Sequence, residues 1–156
     1  MEIEEEIKQK EFSSERVKAL VNILFTASWF YSKQNQIFKD FDISWQQFNI
    51  LRILRGRKGK PASLKMLSQR MIDRNSNTSR LVDKLESKGY VARHSNEADR
   101  RKVDIFITKE GLEIANLASI ETESLVQGNI DNLTEKEEIQ LNLLLDKLRG
   151  PECSRE

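Results

Sequence analysis

The stretch that decides the fold of this 156-residue chain is residues 77–111, NTSRLVDKLESKGYVARHSNEADRRKVDIFITKEG. Its first part predicts a helix, because an apolar stripe recurs at helical spacing and Gly89 supplies a typical helix stop. Its second part predicts two strands, residues 90–94 and 103–107, since apolar and polar residues alternate in the second of them. The polar, arginine-containing residues 95–102 join these strands as a hairpin.

A shorter helix and a polar turn precede this stretch. Residues 63–71 carry apolar side chains at helical spacing, and residues 73–77 form a polar break rich in helix-capping types. The next helix has one polar and basic face, made of Asn77, Arg80, Lys84 and Lys88. Two short helices around a tight polar turn are typical of a helix-turn-helix, and a hairpin directly after them is typical of a wing.

Helices are predicted on both sides of this unit. In the N-terminal half, one long helix is expected over residues 13–38. Another begins at Ser44, with Gln47 as its capping-box partner, and ends before the basic loop 55–61.

The C-terminal half continues with two more helices. Thr108 begins a long helix that runs to about Ile130. Thr134 and Glu137 form a second capping box, and the last helix ends at Gly150. Ile139 and Leu143 lie off the main apolar stripe of this helix, which indicates burial by more than one neighbour.

Together these elements predict a mainly α fold with a small β-hairpin wing. The winged helix-turn-helix is flanked by N- and C-terminal helices. The expected divisions are a frayed acidic leader, an N-terminal helix, a winged helix-turn-helix lobe, C-terminal helices and a tail: residues 1–12, 13–43, 44–109, 110–150 and 151–156.

The order of the elements and the motifs of residues 77–111 resemble the MarR family of bacterial transcription regulators. The family's wing signature is matched by five residues, with isoleucine in place of the usual leucine: Asp99, Arg101, Ile107, Thr108 and Gly111. Residues 80–89 are similar to the family's recognition helix and its exit. The resemblance implies a two-fold dimer with intertwined terminal helices, a default role as a repressor, and a small, often aromatic, ligand. It makes residues 13–43 and 110–150 the expected N- and C-terminal dimerisation helices, and residues 44–109 the expected DNA-binding lobe.

The charge distribution supports contact with nucleic acid. Residues 52–109 hold sixteen Lys or Arg against six Asp or Glu, although the net charge of the whole chain is only +1. A basic middle between acidic ends is expected where one part of a chain meets phosphates. An unevenly charged, solvated surface is the alternative interpretation. Several basic residues are either phosphate contacts or plain surface: Arg55, Arg57, Lys58, Lys60, Lys65 and Arg70.

The start of the basic helix is the predicted probe of the major groove. Arg80 matches the edge of guanine and Asn77 that of adenine, although either contacts phosphate equally well. The predicted recognition residues are Ser76, Asn77, Ser79, Arg80 and Lys84.

The wing supplies the second predicted contact, in the adjacent minor groove. Its candidate residues are Arg100, Arg101 and Lys102. Asp99 has the wrong charge for DNA and is assigned to holding an arginine and the hairpin in shape.

An aromatic cluster is a candidate ligand pocket, although aromatic residues at helical spacing more often pack a core or a dimer interface. Its members are Trp29, Phe30, Phe38, Trp45 and Phe48. The single cysteine, Cys153, is flanked by acidic residues, which disfavours redox sensing, and the lone His94 makes no metal site.

Enzymes are disfavoured by the motifs. The sequence has no glycine-rich phosphate loop, no nucleophile beside a histidine and no convincing carboxylate pair, so no cofactor is predicted. No apolar stretch is long enough to span a membrane, and the acidic start is unlike a secretory signal, which favours a cytoplasmic protein. The predicted partners are double-stranded DNA, a second copy of the chain and a small aromatic ligand. The alternative function is a winged-helix module for protein contacts.

Overall fold

The computed structural model describes residues 2–96, 103–130 and 132–150. Along these ranges the chain forms seven helices and two strands. In chain order they are α1 (Ile3–Glu6), α2 (Glu15–Asp40), α3 (Trp45–Arg55), α4 (Leu64–Arg70), α5 (Thr78–Ser87), β1 (Val91–Ser95), β2 (Val103–Ile107), α6 (Lys109–Ile130) and α7 (Glu135–Arg149).

The predicted helix boundaries are confirmed to within about two residues. They could be predicted because hydrogen bonds from nearby side chains determine where these helices begin. The Ser44 hydroxyl accepts from the Gln47 backbone N–H, and the Gln47 side chain accepts in return from the Ser44 backbone N–H, which completes the capping box of α3. At the start of α7 the Glu137 carboxylate accepts from the Thr134 backbone N–H at 2.8 Å.

Gly89 ends α5 as the sequence predicts. Its φ of 74° is left-handed, its N–H bonds the Glu86 carbonyl, and the Tyr90 N–H bonds the Leu85 carbonyl. This pair of bonds is the Schellman motif, which turns the chain sharply out of the helix. The recognition helix and the first wing strand are therefore joined by only three residues, Lys88, Gly89 and Tyr90.

The core lies under the helix-turn-helix. Its large, fully buried apolar side chains come from α2, α3, α4, α5 and β2: Phe38, Ile50, Leu51, Leu54, Leu67, Val82, Leu85 and Ile105. Two alanines of α6, Ala115 and Ala118, are also fully buried, so the long helix approaches α3 closely.

The hairpin pairs β1 with β2 antiparallel, with Val91 opposite Ile107 and Ser95 opposite Val103. Ala62 adds an isolated bridge to Ile105, with both backbone hydrogen bonds at 2.9 Å. Ala62 lies between the predicted loop 55–61 and the predicted helix 63–71, and this third strand-like contact was not predicted from the sequence.

The leader differs from the frayed segment that the sequence suggested. Residues 3–6 form a helical turn whose Ile3 is buried, and the Glu4 carboxylate pairs with the Lys18 ammonium at 2.6 Å. The buried Ile3 and the Glu4–Lys18 ion pair therefore dock this segment on the rest of the subunit.

The terminal helices leave a wide apolar surface uncovered. On α7 only Leu145 is even partly buried, and Leu143 and Leu148 are 65% and 68% exposed. Other exposed apolar residues lie on α2 and α6: Val17, Leu20, Leu24, Leu117 and Ile120. No helix within the described ranges is long and apolar enough to cross a membrane.

Candidate nucleic-acid interface

Helix α5 has three distinct faces. Thr78, Val82 and Leu85 are buried against the core. Ser79, Asp83 and Glu86 lie toward strand β1, where they meet an arginine. On the third face Arg80 and Lys84 are exposed, and neither forms an ion pair with any residue that the structure describes. We call this third face the open face of α5.

Asn77 has a structural task at the start of this helix. Its side-chain Oδ1 accepts a hydrogen bond from the Arg80 backbone N–H at 3.1 Å, so Asn77 is the N-cap of α5. A bidentate contact with adenine would need the same oxygen atom. The side-chain amide N–H groups remain for a partner outside the helix.

The other predicted recognition residues differ in accessibility. Ser76 is half-buried in the turn before α5, and its backbone N–H bonds the Asp73 carbonyl at 3.3 Å. Ser79 is exposed beside Arg80. Lys88, assigned to the basic face from its spacing, instead pairs with Asp42 at 2.7 Å and so belongs to the junction with the α2–α3 turn.

The wing residues Asp99, Arg100, Arg101 and Lys102 lie outside the described residues. The base of the wing is described. Asn96 donates to the Asp104 carboxylate at 2.8 Å, and the rings of His94 and Phe106 meet edge to face at 5.4 Å. These contacts tie the two strands together at the level where the tip begins.

Thr108 and Gly111 hold the hairpin against the exit of α5. The Thr108 hydroxyl donates to the Gly89 carbonyl at 2.7 Å and accepts from the Gly111 N–H at 3.0 Å. A Cβ on Gly111 would stand 2.0 Å from the Tyr90 carbonyl oxygen, so only glycine fits at this position. The motif residues at the end of the wing are therefore needed for packing.

Arg93 on β1 was not singled out from the sequence, yet it contacts three residues of α5. Its guanidinium reaches the Asp83 carboxylate at 2.5 Å, the Glu86 carboxylate at 3.2 Å and the Ser79 carbonyl at 3.5 Å. No local spacing rule links a strand residue to a helix before it, so the sequence carries no simple signal for this cluster.

Two of the six basic residues that the sequence left open as phosphate contacts or plain surface are engaged within the protein. Arg55 donates to the Ala115 carbonyl, the Asn116 side chain and the Ser119 hydroxyl, at 3.2, 3.2 and 2.7 Å. Arg57 donates to the Pro61 carbonyl at 2.7 Å. Four others are exposed: Lys58, Lys60, Lys65 and Arg70.

The five aromatic candidates do not form one pocket. Phe38 and Phe48 are buried and stack at 4.8 Å, with Trp45 packed beside them, as expected for core residues. Trp29 and Phe30 line a separate groove of about 1030 Å³ between the leader, α2 and the ends of α6 and α7. Within the described ranges no group of His, Cys, Asp and Glu is arranged to hold a metal ion.

Comparison with known proteins identifies the same family that the motifs of residues 77–111 resemble. Residues 43–103 match the sequence profile of the MarR family. The HTH-type transcriptional regulator PecS of Dickeya dadantii (strain 3937) is 32% identical over 117 residues, which cover 73% of this chain and 69% of PecS.

Solved structures share the fold at lower identity. The Staphylococcus aureus MepR–DNA complex superposes with a TM-score of 0.75 at 21% identity, covering 90% of this chain and 98% of MepR. The organohalide-sensing regulator RdhR-CbdbA1625, bound to 2,4-dichlorophenol, gives a TM-score of 0.80 at 18% identity over 91% of this chain and 86% of its own. With its helix-turn-helix, its wing and its similarity to PecS, this chain belongs to the MarR family of transcription regulators.

Proposed function

We propose that this protein is a homodimeric repressor that binds a pseudo-palindromic operator in duplex DNA and acts by binding rather than by catalysis. The observation that carries the proposal is the open face of α5, where Arg80 and Lys84 point away from the core without an internal partner among the described residues. The structurally similar MepR has been crystallised with DNA. A cytoplasmic location follows from the proposed partner.

Arg80 and Lys84 have different tasks in this proposal. Arg80 lies in the first turn of α5, the part of a recognition helix that meets base edges, and its planar fork suits the O6 and N7 atoms of guanine. Lys84 lies one turn later and supplies a point charge for phosphate. The exposed lysines and arginine of the α3–α4 region add sequence-independent attraction.

The second copy covers the apolar surface of the terminal helices. Leucine and isoleucine side chains on α2, α6 and α7 are exposed in one subunit, and contiguous apolar surface of this kind marks an interface. Two-fold pairing would present two α5 helices to successive major grooves, about 34 Å apart. The expected operator is then roughly 16–20 base pairs long, with two inverted half-sites.

Selection from a random library of duplex DNA tests this proposal without knowledge of the target gene. The purified protein should enrich a pseudo-palindrome whose half-site centres are about 10 base pairs apart. Affinity for it should be on the order of 10⁻⁸ M or tighter, and should fall steeply as salt rises. Failure to enrich any sequence would contradict operator binding and favour the alternative, a winged-helix module for protein contacts.

Point variants then test the open face. Arg80→Ala should weaken operator binding by about 1–3 kcal/mol and relax selection at one base pair of each half-site. Lys10→Ala removes an exposed charge from the segment before α2 and should leave binding unchanged. Equal behaviour of the two variants would show that α5 does not read the operator.

Response to a small aromatic ligand is the second part of the proposal. Tyr31 of α2 and Trp45 of α3 meet edge to face at 6.3 Å. Burial raises the pKa of the Tyr31 phenol, and the negative charge of Asp73 adds to this effect. Asp73 lies in the turn before α5, so a ligand bound beside Tyr31 would act directly on the recognition helix. Trp45, one of the five predicted pocket residues, is therefore part of this proposed site beside Tyr31.

Addition of 2,4-dichlorophenol, the molecule bound to RdhR-CbdbA1625, to the protein–operator complex tests this part. Release of the operator, reduced in Tyr31→Phe, would support it. Unchanged operator affinity at saturating dichlorophenol would contradict this ligand class.

A further inference from the structure

We propose that Arg93 is a positioning residue: it clamps the wing hairpin to the recognition helix and so supports operator affinity without touching DNA. The inference rests on the proposed operator binding and adds to it a residue and a mechanism.

The contacts of Arg93 have the geometry of a clamp. Ser79, Asp83 and Glu86 are spaced by four and three residues, which places them in one row along α5. The Arg93 guanidinium spans this row, with its terminal nitrogens on the two carboxylates and on the Ser79 carbonyl. One strand residue therefore holds about two turns of helix.

The local charge excludes a phosphate contact for Arg93. Two carboxylates face a single guanidinium, so the cluster has a net negative charge that repels DNA. The Arg93 side chain is only 26% exposed, while Asp83 and Glu86 are more open to solvent. A phosphate that approaches Arg93 would first meet their charges.

The position of Arg93 gives it control over the wing. It is the middle residue of β1, and the covalent link from α5 to β1 consists of Lys88, Gly89 and Tyr90, with Gly89 in the left-handed conformation. A five-residue strand is about 16 Å long, so a rotation of ~10° at its base moves its far end by ~3 Å. That displacement is comparable to a hydrogen-bond length and would misalign the wing with its groove.

The decisive variant is Asp83→Asn, because two hypotheses predict opposite signs for it. If charge alone mattered, removing a carboxylate from the DNA-facing lobe would strengthen operator binding. If Arg93 is a clamp, Asp83→Asn weakens binding by about tenfold, as expected for losing one charged hydrogen bond of moderate strength. The control is Asp40→Asn, which removes an exposed carboxylate at the end of α2, away from the clamp.

Arg93 variants complete the test. Arg93→Gln should weaken operator binding about tenfold while the slope of log affinity against log salt changes by less than the ~0.9 expected for one lost phosphate contact. Adding Asp83→Asn to Arg93→Gln should cost no more, because both remove the same contact. A slope reduced by ~0.9, or tighter binding by Asp83→Asn, would overturn the proposal.

Hydrogen exchange of the free protein separates this proposal from operator binding itself. Arg93→Gln should speed amide exchange in β1 and leave α3 unchanged. If wild-type protein selects no operator but this exchange response is seen, the proposed function fails and the clamp remains. If wild-type protein binds its operator and exchange in β1 is unaltered by Arg93→Gln, the clamp is wrong.

Discussion

At position 111 the backbone of α6 passes so close to the Tyr90 carbonyl that no side chain fits between them. Gly111→Ala must push apart helix α6 and the residue that joins α5 to the wing. We expect it to lower the free energy of unfolding by about 1–3 kcal/mol, the usual cost of overpacking, measured by urea denaturation.

Gly128 provides a matched control in the same helix. Nothing lies within 4 Å of a Cβ built there, and its φ is not left-handed. Gly128→Ala should therefore stabilise the protein by up to about 1 kcal/mol through helix propensity. A similar loss of stability in both variants would show that the close approach at Tyr90 is not the cause.

Glu4 offers a test by pH. Its hydrogen bond to Lys18 holds the pKa of the Glu4 carboxyl below its ordinary value. A lowered pKa means that the contact stabilises the docked leader above the carboxyl's ordinary pKa and is lost as pH falls through the lowered one. Carbon-detected NMR titration should show the Glu4 midpoint rising in Lys18→Gln and staying constant in Lys10→Gln. An unchanged midpoint in Lys18→Gln would contradict the pairing.

Single residues whose partners lie within four positions are the part of this structure that sequence predicts well. Ser44 with Gln47, and Thr134 with Glu137, are pairs at a spacing of three, so their contacts follow once a helix begins there. Asn77 shows the limit of such prediction. The residue types allowed both a cap and a base contact, and only the folded structure shows that its oxygen is used in the cap.

Among the elements, α3 and α6 are joined by a polar contact that spans 64 positions of sequence. Arg55 donates three hydrogen bonds to α6, and Ser119 in turn bonds the Ala115 carbonyl within that helix. Arg55→Ala should lower the free energy of unfolding by about 1–3 kcal/mol, because α6 acceptors lose a partly buried donor.

Lys58→Ala is the control for this change, since Lys58 is an exposed cation three residues farther along. Urea denaturation of both variants measures the difference. An Arg55→Ala protein as stable as the Lys58→Ala protein would show that the contact with α6 contributes nothing to stability.

Contacts between elements that are distant in sequence are the part of the fold that could not be predicted from the sequence. The Ala62–Ile105 bridge and the Arg93 cluster depend on how α4, α5 and the hairpin pack together, and no periodicity records that packing. The same limit applies to the basic residues of the α3–α4 region. Composition left each of them open as a phosphate contact or plain surface, whereas Arg55 and Arg57 are used inside the lobe.

At the scale of the whole molecule, the exposed leucines of α7 define the interface that the proposed dimer needs. Leu143→Glu together with Leu144→Glu should convert the dimer to a monomer and weaken operator binding at least a hundredfold, because half of the operator contacts are lost. Analytical ultracentrifugation measures the first effect and fluorescence anisotropy the second.

Ile72→Glu is the matched control, since Ile72 is an equally exposed apolar residue in the turn before α5. It should leave the oligomeric state unchanged. A Leu143→Glu, Leu144→Glu protein that still sediments as a dimer would place the interface elsewhere on the surface.

Helix α7 buries almost nothing against its own subunit, and this has a thermodynamic consequence for the cell. A helix of 15 residues is marginal in water by itself, so we expect the folding of α7 to draw on association in the proposed dimer. By mass action, the stability of the proposed dimer then depends on protein concentration. The melting temperature rises with protein concentration, and dilution loosens the C-terminal helix before the core. In the proposed dimeric repressor, a fall in protein concentration would therefore release subunits whose α7 is open to proteolysis, and operator occupancy would fall with them.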